Sequence, residues 1–130
     1  MFVLVFLAPL YLLAQNTIGK SKDQIRNIIQ SNPNFKLSSG NNCDTMKFTQ
    51  GMQTIFFYKN DTCYSQTSIL PLKYMKDIVE KMTTDSYKKI NENVWIDPKE
   101  TMKVVIKIDN NRKICSVETT VYDKAVKNSN

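Results

Sequence analysis

Apolar positions along this chain switch between helical spacing and strict alternation, and the switches outline its elements. Ile25, Ile28 and Ile29 share one helical face, with Lys22, Arg26 and Gln30 outside it. Ser21 followed by Gln24 has capping-box spacing, and Pro33 forces the chain out of the helix. The turn formers of LSSGNNCD, Leu37 to Asp44, predict a loop carrying Cys43. A short strand is expected over Met46–Phe48, then a hairpin. Its arms are Met52–Lys59 and Cys63–Leu70, joined at Asn60-Asp61.

Pro71 suits the first turn of a second helix, whose stripe is Leu72, Met75, Ile78, Val79 and Met82. Strands over Ser86–Ile90 and Val94–Ile96 flank Asn91-Glu92-Asn93. Met102–Ile108 and Lys113–Tyr122 form a last hairpin around Asp109-Asn110-Asn111-Arg112. The predicted order is helix, three strands, helix, four strands. This is an α+β fold with two helices packed on an antiparallel sheet, and a pseudo-repeat of two helix-plus-strand halves is a further expectation.

The leader changes the picture of compartment. MFVLVFLAPLYLLA carries no charge, is too short to span a bilayer, and ends in Ala14 before Gln15. Residues 1–14 therefore read as a signal peptide, although no basic residue opens it. The chain is expected to be exported, periplasmic or secreted, with no transmembrane segment once the leader is removed. One domain is expected over 15–124, and 125–130 as a frayed tail.

Charge changes it less. There are 18 lysines and arginines against 12 aspartates and glutamates, a formal +6. The lysines are scattered and only Lys88-Lys89 forms a doublet, so the excess reads as a solvated basic surface. No nucleic-acid signature accompanies it, and specific nucleic-acid binding is not expected.

Candidate chemistry is narrowed by the absence of histidine, the commonest general base and metal ligand. No tetrahedral ligand set arises from three isolated cysteines, and no glycine-rich phosphate loop from three glycines, so no cofactor or metal is expected. A catalytic Cys63 would need a nearby cation or helix start, and it sits in a predicted strand. Two states of the cysteines remain open: a disulfide among Cys63, Cys115 and Cys43, as an oxidising compartment favours, or free thiols buried as small apolar side chains. Asp97 and Glu100, with Glu118 and Tyr122, are the candidates for a carboxylate-based enzyme. Trp95 alternates with Val94 and Ile96 and is either a core aromatic or, with Tyr64, a surface contact.

The stretches IFFYKNDTCYSQTSILP (Ile55–Pro71), VWID (Val94–Asp97) and KICSVETTVYD (Lys113–Asp123) carry a resemblance. Together with the Ala14-Gln15 junction, they resemble small exported proteins of unknown function common in Bacteroidota, over most of the mature chain. Asp61-Thr62 stands where that family has a glycine. The resemblance implies no catalytic residue. Gly19, Ser21, Ile25 and Pro33 also look like the opening helix of β-lactamase-inhibitor-like and small outer-membrane assembly domains, which bind proteins. The expectation is an exported, non-enzymatic module that binds a protein at the cell envelope. Its alternatives are a carboxylate-based enzyme and a binder of anionic surfaces or polymers.

Overall fold

A computed structural model describes residues 17–48 and 51–123. The expected signal peptide (1–14) and frayed tail (125–130) lie outside these residues. Helix α1 spans Lys22–Gln30 and starts as its spacing predicts. The Gln24 amide donates to Ser21 Oγ at 3.2 Å, and the Ser21 amide donates to Gln24 Oε1 at 3.0 Å. Such a cap contributes about 1 kcal/mol by satisfying amides that the first turn leaves without partners.

Eight strands follow in two groups of four: β1 (Lys36–Ser39), β2 (Cys43–Lys47), β3 (Gln53–Lys59) and β4 (Thr62–Pro71), then β5 (Lys88–Asn91), β6 (Val94–Ile96), β7 (Met102–Asp109) and β8 (Ile114–Val121). Between the groups, a 3-10 turn over Leu72–Tyr74 leads into α2, Met75–Thr84. All eight strands form one antiparallel sheet in the order β1-β2-β3-β4-β8-β7-β6-β5. Each group is a meander, and the two meet through their last strands.

This overturns the predicted order of helix, three strands, helix, four strands. The stretch expected to be a loop, Leu37–Asp44, lies largely in β1 and β2, which turn about Asn42 at a φ of +59°. Its turn-forming composition hid an edge hairpin, because β1 is a mostly exposed strand with no alternation of its own. The strand expected at Met46–Phe48 runs from Cys43 to Lys47 instead. Pro71 closes β4 in an extended conformation (ψ 140°), so it does not begin the helix. Asn60 and Asp61 both have positive φ, 52° and 61°, the geometry of a primed two-residue turn matched to strand twist.

Both helices lie on one sheet face. Ile25 and Ile29 of α1 pack with Met46, Phe56, Tyr58 and Leu70, while Met82 of α2 packs with Trp95, Val104 and Ile106. Met75, Ile78 and Val117 touch both clusters and join them. Each fully buried Ile or Met contributes about 2 kcal/mol. The centre of this covered face is polar: Thr54 and Ser68 share a hydrogen bond of 2.9 Å, and Thr17 donates to Gln66. Among the described residues no helix is long and apolar enough to cross a membrane.

Candidate functional site

Strand alternation sends every second side chain to the face that the helices leave open. Along β3 these are Gln53, Ile55, Phe57 and Lys59, each less buried than the intervening Thr54, Phe56 and Tyr58. Register carries the open face across the sheet: Thr45 lies opposite Ile55, Ile55 opposite Thr67, Thr67 opposite Glu118, and Glu118 opposite Val105. A second row runs Cys43, Phe57, Ser65, Thr120, Lys103 and Ile96. Ile55, Phe57, Ile69 and Val105 belong to neither core cluster. All four are half-buried, whereas Ser65 and Ile96 of the second row are buried.

Lysines that look scattered in sequence converge here. Lys36, Lys47, Lys59, Lys88, Lys103 and Lys107 all fall on the open face by alternation and register. The sequence-level reading of an evenly basic surface missed this, because the clustering arises only when separate strands are laid side by side. The signal available was the shared parity of Lys103 and Lys107 within β7, opposite to Val104 and Ile106.

All three cysteines are free. Cys63 faces the core opposite Tyr58, and Cys115 faces it opposite Leu70. Because Leu70 lies seven positions beyond Cys63 on the same strand, the two thiols are about 23 Å apart along the sheet. Cys43 pairs with Phe57 and therefore points to the opposite face from Cys63. A disulfide needs Cα atoms within about 7 Å and Cβ vectors that converge, so of the two states left open the structure has the free thiols. Burial pushes the Cys63 thiol up to about 11, against partial relief from the backbone of Ser65 and Phe57. Burial also pushes Cys115 up. Such thiols stay protonated and are poor nucleophiles.

Of the two expected surface contacts, Trp95 is a core residue, 7% exposed, with Lys89 Nζ 5.6 Å from its ring centroid. Tyr64 is 49% exposed, on the β4 side of a bulge opposite Phe57 and Tyr58. The candidate carboxylates have structural employment. Asp97 Oδ1 accepts from the amides of Thr101 (2.6 Å) and Met102 (2.8 Å), and Oδ2 from the Thr101 hydroxyl (2.7 Å). Glu100 lies 3.9 Å from Lys88 Nζ. The Tyr122 amide donates to Thr101, which brings it to the Asp97 corner, whereas Glu118 stands among open-face side chains between Thr67 and Val105.

The most developed polar cluster was not anticipated. Asp44, fully buried on the covered face, accepts from Arg26 Nε at 2.8 Å, Arg26 Nη2 at 3.1 Å and the Tyr58 hydroxyl at 2.8 Å. Burial alone would raise the Asp44 carboxyl, but hydrogen bonds from Arg26, Tyr58 and Ser39 outweigh it and hold the pKa below its ordinary value. The same hydrogen bond raises Arg26, while burial and the adjacent carboxylate raise the Tyr58 phenol. Every group in the cluster has a partner, and together they tie α1 to β2 and β3. Nothing in the turn-rich stretch around Asp44 announced it; only the approach of α1 supplies the guanidinium.

Among the described residues no group of three His, Cys, Asp or Glu side chains is placed to hold a metal ion. No protein-family model, curated protein or solved structure matches the chain.

Proposed function

We propose that this chain is an exported, non-enzymatic module that binds another protein at the cell envelope through its open sheet face. The observation that carries the reading is the set of apolar side chains, Ile55, Phe57, Ile69 and Val105, that neither helix covers and neither core includes. Clustered apolar surface rimmed by polar residues marks interaction sites on soluble domains. Seven strand spacings of about 4.8 Å and some six residues of about 3.3 Å give a face of about 700 Å². A standard protein interface needs about 800 Å² per partner. Export is supported by the apolar leader ending at Ala14, and by the resemblance to exported Bacteroidota proteins.

The test immobilises the mature domain, residues 15–130, and passes a detergent-solubilised envelope extract over it. The wild type is expected to retain a partner that the double variant Ile55→Asp, Phe57→Asp does not, with both proteins folded by circular dichroism. Retention of nothing above control, or retention that the double variant leaves intact, refutes the reading.

A further inference from the structure

The open face is charged as well as apolar, and its charge is one-sided. Six lysines share it with two carboxylates, Glu118 and Asp109. Asp109 is occupied in its own turn, where Oδ1 accepts from the amides of Asn111 and Arg112 at 3.1 Å. Lys88 is matched by Glu100. Lys36, Lys47, Lys59, Lys103 and Lys107 make no ion pair among the described residues. The helical side is balanced by contrast: Lys22 pairs with Asp61, Arg26 with Asp44 and Lys81 with Asp85, and the 3-10 turn and α2 set Lys73 and Lys76 near Asp77 and Glu80. With Glu118, Asp109 and Glu100 set against the six lysines, this face carries a net +3, half of the formal +6.

We propose that the occupant of the open face is an acidic protein surface with an apolar centre, its carboxylates meeting the marginal lysines while its apolar side chains cover Ile55, Phe57 and Ile69. The inference rests on the reading of this face as a protein-binding surface, and adds the chemistry of the partner. Lysines lie toward the ends of the strands and on the outer strands, Lys36 and Lys47 directly paired on β1 and β2, Lys107 across the sheet on β7. The middle row is free of positive charge from Ser38 to Val94. That row holds Ile55, Val105 and Val94 among Ser38, Thr45, Thr67 and Glu118, a mixed apolar and polar centre inside a basic rim. A second copy of this chain would set two like-charged faces against each other, which costs free energy. A uniform polyanion or lipid headgroup layer would bring negative charge onto Glu118 and leave Ile55, Phe57 and Ile69 without matching apolar surface. Opposite charge at the rim also accelerates encounter at low salt, an effect that is screened within about 8 Å at physiological ionic strength.

The experiment compares the envelope-extract capture for wild type, Lys47→Glu/Lys103→Glu/Lys107→Glu on the open face, and Lys76→Glu/Lys81→Glu on α2, all checked for folding by circular dichroism. Retained protein is identified by mass spectrometry, purified and titrated at 50 and 300 mM NaCl. Vesicles of phosphatidylglycerol and soluble polyglutamate are titrated alongside. The proposal expects an acidic partner, binding at least tenfold weaker for the open-face variant, a change of less than threefold for the α2 variant, and at least a tenfold loss on raising the salt. A partner lost with Ile55→Asp, Phe57→Asp but indifferent to the open-face lysines and to salt overturns the acidic-partner proposal and leaves the protein-binding reading standing. Vesicles or polyglutamate binding the open face as tightly as any retained protein overturns it in favour of an anionic surface or polymer. Retention of no protein overturns both.

Discussion

Replacing Tyr58 by phenylalanine isolates one bond of the buried Arg26–Asp44–Tyr58 cluster. The ring stays in the core, where Tyr58 is 5% exposed, and only the hydroxyl that donates to Asp44 at 2.8 Å is lost. Hydrogen bonds to a charged group contribute about 1.5–3 kcal/mol net. Asp44 keeps both Arg26 bonds, so a loss of about 2 kcal/mol is expected, or about 8 °C in Tm for a domain of this size. Urea and thermal unfolding followed by circular dichroism measure it. The pH dependence supplies a second check. The folded pKa of Asp44 lies below its ordinary value of 3.8, so its contribution is fully present above that value. It is lost as pH falls through the folded pKa. Removing the hydroxyl relaxes the carboxyl upward, so the difference between Tyr58→Phe and wild type is largest near neutrality and shrinks on acidification. Tyr58 itself is raised above its ordinary 10.0, so stability from the protonated phenol is present below pH 10 and declines above it. The variant lacks this alkaline loss, and the two curves converge there as well. A variant within about 0.5 kcal/mol of wild type at pH 7, the scale of an ordinary surface substitution, would refute the assignment. So would a difference that does not shrink on acidification.

The cysteines provide a further test: intact mass is expected to be unchanged by reductant, and Cys63 and Cys115 to react with a disulfide reagent only on unfolding. Rapid modification of either in the folded protein contradicts their placement. Because Cys63 rises from an ordinary 9.0 to about 11, its contribution to stability is complete below pH 9 and lost between pH 9 and 11, a fall of about 3 kcal/mol at most that Cys63→Ala abolishes. Ser86 ends α2 in the left-handed region at φ +67°, with its own amide on the Thr83 carbonyl and the Tyr87 amide on that of Met82. Ser86→Gly removes the Cβ penalty of that conformation and is expected to stabilise the fold by about 1 kcal/mol in urea melts; a destabilised variant disproves that account. The proposed export predicts that the full chain, expressed with its leader, yields a product beginning at Gln15, and an uncleaved or cytoplasmic product by mass and fractionation counts against it.

Local chemistry made part of this protein legible from the chain alone. The Ser21–Gln24 capping box, the α2 stripe and the hairpins around Asn60-Asp61 and Asp109–Arg112 depend on residues within a few positions of one another. They carry over from pattern to structure, except that Pro71 and Leu72 of the expected second helix fall in the strand end and 3-10 turn before α2. Alternation along β3 and β7 likewise divides the side chains into two sets. It does not say which set the helices cover, nor which strands stand side by side. Strand β1 escaped notice because an exposed edge owes its form to its partner and not to its own pattern. Asp44 looked like a loop residue because the guanidinium that neutralises it arrives from α1, eighteen positions away. Cys63 and Cys115 looked alike as early residues of second hairpin strands, yet antiparallel pairing of β4 with β8 sets them at opposite ends of the sheet. The lysines of the open face make the same point about function. Their residue types were plain in the sequence, but their placement on one face is a property of register across eight strands, which decides which residues distant along the chain share a side.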